Sequence, residues 1–391
     1  MTEQTQTAQH GLSAHSHGAG VPLQIRNARL RSGVSADFEP VSQREEQWRY
    51  LPSDRIEALL EDSFDEFTGD LALKAPDGIT TAWIGAEHEL FGKAGLPEDR
   101  VSAVAWESAQ AAYLINIPAE TEAGCQVQLQ IKSEELAASA LHLVINAEHH
   151  SNAVVILDHT GSANLVENVE IIAGDECNLT VISIQDWSED STHLSSQFAR
   201  LGRNSKLKHI VVSLGGKTVR LTPSVEFTGT GGDVELLGMY FADAGQHLEH
   251  RPFVDHAVAN CKSRVTYKGA LQGEKAHTIW VGDVLIRKEA EGTDTYELNR
   301  NLLLTDGARA DSVPNLEIET GQIAGAGHAS ASGRFDDEQL FYLQARGIDE
   351  GQARRLVVFG FLNEIVQQIG VPEIMARLTE SIEAELARSV S

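Results

Sequence analysis

A chain of 391 residues with a formal net charge of −26 is long enough for an extensive core, and its charge repels phosphate backbones, which sets nucleic-acid binding aside. No apolar run approaches the length of a membrane span, and no basic stretch followed by a hydrophobic one opens the chain, so neither a span nor a secretory leader is expected. Cys125, Cys177 and Cys261 are odd in number and far apart, which argues against a disulfide framework or a tetrahedral zinc site and for a reducing cytoplasm.

Residues 1–20 are rich in Gln, Thr, His, Gly and Ala and carry few large apolar side chains, so they read as a disordered tail. His10, His15 and His17 lie in it and read as part of that tail rather than as metal ligands. Residues 21–120 read as an N-terminal helical region. Within it Trp48, Leu51, Ile56, Leu59, Leu60, Phe64 and Phe67 recur at helical spacings, with a fresh helix expected after Pro52. A second short helix is expected over 98–107.

The texture changes near Gln126. Val127 to Lys132 alternates apolar and polar residues, as a half-buried strand does. Short strands are expected at 153–157, 165–172, 179–184, 207–214, 234–240, 264–267 and 278–286. Apolar runs after small-residue corners restart every 25 to 29 residues or so, the repeat of stacked coils. Hairpin turns of the Asn-Gly or Asp-Gly kind are scarce; Asp306-Gly307 is the clearest. The expected fold is mainly β: a right-handed parallel β-helix, or β-solenoid, over 121–334, flanked by N-terminal and C-terminal α-helical segments. A β-sandwich is the rival.

Helical spacing returns in the C-terminal domain, 335–391. Asp336 is a cap with Gln339 behind it, Gly347 stops the helix, and Asp349 with Gln352 repeats the device. The next helix runs to about Ile369 with Gly370 at its end, and Pro372 opens another. Apolar residues surround the middle helix on more than one face. Burial between its neighbours explains that most simply; a docking face for another chain is the alternative.

The segments His247-Leu-Glu-His250, Lys268-Gly269, Asn299-Arg-Asn-Leu-Leu-Leu304, Asp306-Gly-Ala308 and Pro314-Asn-Leu-Glu-Ile318 form one pattern with those that follow. These are Gly327-His328, the run Phe335-Asp-Asp-Glu-Gln-Leu-Phe-Tyr-Leu343 and Arg346-Gly-Ile348. From about 246 to 366 the chain resembles the SufB/SufD family of iron–sulfur cluster assembly proteins, and Glu46-Gln-Trp48-Arg-Tyr50 is similar to that family's N-terminal signature. Its length, and Ala326 where SufB carries a cysteine two residues before the histidine, make it resemble SufD. The resemblance implies a scaffold subunit rather than an enzyme, working in the cytoplasm. It would pair through its β-helix with a SufB-like paralogue, and its C-terminal helices would dock a SufC-like ATPase, which supplies the ATP hydrolysis. The residues this implies for partner contact are Leu340, Phe341, Leu343, Arg346, Ile348, Val358, Phe359, Phe361 and Leu362. A transient iron–sulfur cluster and a reduced flavin would belong to the assembled complex, with no cofactor held stably by this chain. The isolated chain could pair with itself as a homodimer.

Within that resemblance His328 is the metal candidate, since a neutral imidazole can ligate iron. One histidine cannot hold a cluster, so further ligands would come from the partner. His247, Glu249, His250, Asp255 and His256 are ligand-type residues, but in an extended strand His247 and Glu249 face away from His250; hydrogen bonding at a polar surface or loop is the expected role. Cys261 reads as a small buried hydrophobe. Gly215-Gly216-Lys217-Thr218 lacks the earlier glycine of a phosphate loop, with Val211 at that position. Asp336, Asp337 and Glu338 read as helix-start acids rather than a catalytic pair. Two other functions stand against the scaffold: a carbohydrate-active β-helix enzyme, which the few aromatics disfavour, and a β-solenoid interaction module without metal chemistry.

Overall fold

The computed structural model describes residues 29–334 and 337–388, with Arg31 onward forming one compact unit. The N-terminal part holds β1 (Asp65–Glu66), β2 (Asp70–Lys74), β3 (Thr80–Ile84), α1 (Arg100–Ser108) and β4 (Ala112–Ile117). The long strands β5 (Cys125–Ala147) and β6 (Asn152–Ala173) follow. Next come β7 (Asn178–Trp187), β8 (Thr192–Leu201), β9 (Lys206–Ser213), β10 (Thr218–Phe227) and β11 (Asp233–Ala242). Then β12 (His247–His250), β13 (Phe253–His256), β14 (Lys262–Leu271), β15 (His277–Ile286), β16 (Asp294–Leu303), β17 (Arg309–Ile318) and β18 (Gly325–Arg334) complete the strands. The helices α2 (Asp337–Gln344), α3 (Glu350–Val366) and α4 (Pro372–Arg388) end the described chain.

The strands form a parallel β-solenoid with two strands per coil, as the repeat of apolar runs predicts. One ladder climbs through the first half of β6 to β7, β9, β11, β14, β16 and β18. The other climbs through the second half of β6 to β8, β10, the β12–β13 pair, β15 and β17. The stacked partners Lys206, Asp233, Lys262, Asp294 and Gly325 lie 27, 29, 32 and 31 residues apart, so the coils lengthen beyond the expected repeat toward the C-terminal end. No sandwich of facing antiparallel sheets is present among the described residues; the antiparallel pairs are β2–β5 and β3–β4.

Register makes columns of side chains inside the coils. One reads Val127, Val155, Val181, His209, Leu236, Val265, Glu297, His328. Alternation sends these residues inward, where each buried aliphatic side chain contributes roughly 1.5–3 kcal/mol. Another column passes through Gly238, directly under Tyr267: a Cβ at 238 would sit 2.0 Å from the Tyr267 ring, so only glycine lets that ring lie flat in the lumen.

Both outer faces of the solenoid are covered. Ile156, Ile182, Ile210, Val212, Met239 and Phe241 point outward from the first ladder and pack against α3 and α4 through Val358, Leu362, Ile365, Leu378 and Ile382. On the other side Trp48, Leu51, Ile56 and Leu59 pack with α1 over Ala140, Val166 and Leu194. The helix expected over 42–67 is absent. Three short 3₁₀ turns, Glu46–Trp48, Ser53–Arg55 and Glu57–Leu59, occupy its place, with β1 at its end. Pro52, in extended conformation, breaks the run, and the apolar residues meet the sheet one turn at a time. The helix expected at 98–107 is α1, capped by Asp99, whose side chain accepts from the Ser102 amide at 2.9 Å.

Candidate functional site at the open end of the solenoid

The last coil differs from every other. Among the described residues β17 pairs only with β15 and β18 only with β16, so each leaves a ten-residue edge of backbone donors and acceptors unpaired. Across the open end the Ser330 hydroxyl donates to the Ser312 hydroxyl at 2.7 Å.

His328 stands on β18 at the head of an inward column, in register with Glu297 of β16. Among the described residues no coil covers it, and it is exposed. Glu297 beneath it is 1% exposed, and neither carboxylate oxygen has a hydrogen-bond partner. Burial, helped by the negative charge of Asp283, pushes the Glu297 carboxyl up to about 8. A carboxyl in that state keeps its proton at neutral pH. The sequence reading missed Glu297: it lies 31 residues from His328, and only the register reveals the pairing.

The thiols stay inside. Cys125, Cys177 and Cys261 are buried, and burial raises all three above the ordinary thiol value, so none offers a thiolate at the open end. Cys261 packs in the core near the carbonyls of Gly229 and Ala259, as its sequence context suggests. Position 326 is a half-buried alanine against that core.

His247, Glu249, His250, Asp255 and His256 are all fully buried, which corrects the expectation of a polar surface. They do face different ways. Glu249 meets Arg220 at 3.4 Å and Arg251 at 3.2 Å beneath the N-terminal segment. His250 points into the lumen, stacked on Tyr240 and 3.0 Å from the Ser213 hydroxyl. Asp255 forms a two-pronged pair with Arg287. They are therefore ties between layers rather than one ligand set. The Gly215–Thr218 segment runs into strand β10, with no helix to receive a phosphate.

On the C-terminal helices the expected contact residues divide. Val358 and Leu362 are buried against the solenoid, which corrects their assignment to a partner surface: the outer face of the first ladder is itself too apolar to be left bare. Leu340 is also buried. Phe361 is half-buried and held by Lys268, whose ammonium lies 5.0 Å from the ring centre and pairs with Glu364. Phe341 is 72% exposed, and Arg346 is exposed with its guanidinium 4.8 Å from the Tyr342 ring centre. Leu343, Ile348 and Phe359 are half-buried. Leu356, 48% exposed, was not anticipated as a contact residue. Phe335 and Asp336 lie outside the described residues, as do His10, His15 and His17. Asp349 caps α3 as expected, accepting from the Gln352 amide at 3.0 Å, and Gly347 ends the preceding turn at φ +88°.

Residues 129–361 match the family described as SUF system FeS cluster assembly, SufBD core domain. The chain belongs to the SufBD family. An iron–sulfur cluster assembly SufBD family protein of Mycobacterium bovis is 51% identical over 358 residues, covering 89% of this chain and 90% of that protein. One from Mycobacterium leprae is 48% identical over 372 residues, or 93% and 95% of the two chains. The iron–sulfur cluster assembly protein SufD of Bacillus subtilis is 28% identical over 255 residues, covering 63% and 57%. No helix among the described residues is long and apolar enough to cross a membrane.

Proposed function

We propose that this chain is a SufD-like, non-enzymatic scaffold subunit of the SUF complex, pairing with a SufB-like paralogue through the open end of its solenoid. One observation carries the reading: His328 is an exposed imidazole on a coil whose two strands have free edges. Such edges accept strands from another polypeptide, and the same contact brings that polypeptide's ligands to His328. One imidazole without a thiolate cannot hold a cluster, so the cluster is cargo: His328 supplies at most one bond and the partner the rest. The similarity to SufD of Bacillus subtilis supports the SufD side of the family.

A SufC-like ATPase docks on the exposed apolar residues that α2 and α3 keep after covering the solenoid: Phe341, Leu356 and, in part, Leu343, Ile348 and Phe359, with Arg346 beside them. ATP hydrolysis belongs to that partner, and a reduced flavin to the assembled complex. The assembly is cytoplasmic, and in its absence the same open edges pair two copies of this chain.

Affinity purification of the full chain from its native cells tests the partners; recovery without either a SufB-like chain or an ABC-type ATPase overturns the proposal. Deleting the helices is a poor test of docking, because α3 and α4 also cover the core. Phe341→Asp is cleaner, with loss of the ATPase and retention of the paralogue expected. His328→Ala keeps both partners and lowers cluster yield in anaerobic reconstitution; an unchanged yield removes His328 from the mechanism.

A further inference from the structure

We propose that His159, Glu167 and His193 hold a divalent transition-metal ion of the zinc or ferrous class inside the solenoid, far along the chain from the open end. His159 lies in the first half of β6, Glu167 in its second half and His193 on β8 stacked upon that half, so two neighbouring coils bring all three into the lumen. All are fully buried, and their ligand atoms lie within 4.8 Å of one another. Nε2 of His159 is 3.0 Å from Oε1 of Glu167, and Nε2 of His193 is 3.5 Å from Oε2. Ligands about 2.0–2.1 Å from a tetrahedral ion are about 3.3 Å apart, which is the spacing of this set.

The hydrogen bonds around the trio decide where the lone pairs point. Nδ1 of His159 lies 2.9 Å from the carbonyl oxygen of Ile184, which can only accept, so that nitrogen carries a proton. The Gln185 amide nitrogen donates to Ser183, which turns Oε1 of Gln185 toward His193; that oxygen is 2.7 Å from Nδ1 of His193 and takes its proton. The Trp187 indole N–H completes the shell, 3.2 Å from the same Gln185 oxygen and 3.1 Å from Nδ1 of His193; the shorter 2.7 Å contact between that nitrogen and the Gln185 oxygen leaves the oxygen as the indole's acceptor. Each Nδ1 therefore faces an acceptor, and both Nε2 atoms converge on the Glu167 carboxylate, that of His159 at hydrogen-bond distance. Nε2 of His193 makes no hydrogen bond and has no access to water. A buried imidazole nitrogen left unbonded beside a carboxylate and a second imidazole is a place that a cation fits. Carbonyl and amide oxygens on the far nitrogens, and the Ser195 hydroxyl donating to Oε2 of Glu167 at 2.7 Å, are the outer contacts that fix metal-binding imidazoles and carboxylates.

A proton is the rival occupant. Burial disfavours charge on His159, but the facing Glu167 outweighs it and draws the imidazole upward. Burial lowers His193, Glu167 opposes that, and charge on His159 adds to it; a proton on His159 leaves Nε2 of His193 unbonded. The proposal does not depend on the role given to His328. Two imidazoles and one carboxylate suit zinc or ferrous iron better than calcium or magnesium, which favour oxygen.

Because the site is closed, the ion enters during folding and a chelator does not remove it from the native chain. The full chain, produced in medium supplemented with zinc and purified in the presence of EDTA, is expected to carry one zinc ion per chain by elemental mass spectrometry. Anomalous diffraction at the zinc edge is expected to give a peak between the three side chains. His193→Gln is expected to lower the metal content by at least about tenfold, since even an outer-shell partner is worth that much in affinity. Should that variant fail to fold, the anomalous peak in the native chain decides. A folded native chain without stoichiometric metal, or a peak elsewhere, overturns the proposal. So does nitrogen NMR showing His159 protonated on both ring nitrogens.

Discussion

The coil around β6–β8 and the coil around β16–β18 hold the same residue types, histidine and glutamate, on inward-facing positions, and give them opposite fates. In the first, neighbouring coils lie above and below, and His159, Glu167 and His193 are locked in bonds to carbonyl, amide and hydroxyl groups. In the second, the stack ends: Glu297 is buried without a partner, and His328 stands exposed above it. What separates them is coverage rather than composition. A ligand-type residue inside a closed stack is fixed in place, and the same residue on the final turn is free to exchange partners.

If coverage makes the closed region, removing what fastens the cover has the largest effect. Arg220 lies under Trp48, 4.1 Å from the ring centre, pairs with Asp99 at 3.2 Å and with Glu249 at 3.4 Å, and bonds the Gln47 carbonyl. All three charged groups are nearly dry. Arg220→Ala strips the buried Asp99 carboxylate of its arginine and leaves Glu249 with only Arg251 of its two, and is expected to cost about 3–5 kcal/mol in urea unfolding. A loss near zero would mean that the N-terminal segment is fastened elsewhere.

Helix α3 carries the same contrast within seventeen residues. Leu362 is fully buried against the solenoid and Leu356 is 48% exposed. Leu362→Ala is expected to lower stability by about 2–5 kcal/mol. Leu356→Ala is expected to stay within about 0.5 kcal/mol, as surface substitutions do, while weakening ATPase capture. Equal effects in a thermal melt would erase the distinction between the face that covers the core and the face offered to a partner.

The unpartnered Glu297 gives the open end a pH signature. Its folded value, about 8, lies above the ordinary 4.5, so between those limits the folded chain holds a proton that the unfolded chain has released. Its contribution is therefore present in full below pH 4.5 and is lost as pH climbs through about 8. Glu297→Gln removes the titration. The variant is expected to match the native chain near pH 5 and to exceed it by about 1–3 kcal/mol near pH 8, the cost of an unsatisfied buried group. A gain independent of pH would show that the carboxyl is ionised throughout.

Much of this was legible in the chain itself, because a solenoid writes its period into the sequence. Leu179, Leu207 and Val234 each begin an apolar run, and each stacks on the one before. The strands β8 and β10 were harder to see: Ser195, Ser196 and Pro223 interrupt their alternation, although the coil buries the two serines. The spacing of Trp48, Leu51, Ile56 and Leu59 misleads, since turns lying on a sheet satisfy it as well as a helix does. Val358 and Leu362 were assigned to a partner because a helix apolar on several faces does not say which face its own chain claims. His328 was found through its neighbours in sequence. Glu297 and the His159–Glu167–His193 trio were not, since register alone joins residues that far apart.

The smallest expected effect on stability falls on the residue of greatest functional interest. His328 is exposed on an edge strand, and among the described residues no hydrogen bond or ion pair of its side chain is recorded. His328→Ala should leave the unfolding midpoint of the isolated chain within about 0.5 kcal/mol of the native value. The same substitution should reduce cluster yield in the complex. That pairing of outcomes is what distinguishes a residue kept for exchange from one kept for structure. Glu297→Gln supplies the control from one layer below: it changes stability with pH, yet leaves the imidazole above it in place. A loss of several kcal/mol from His328→Ala would mean that the column continues to its last member as structure, and the contrast between closed and open coils would fail at the position where it matters most.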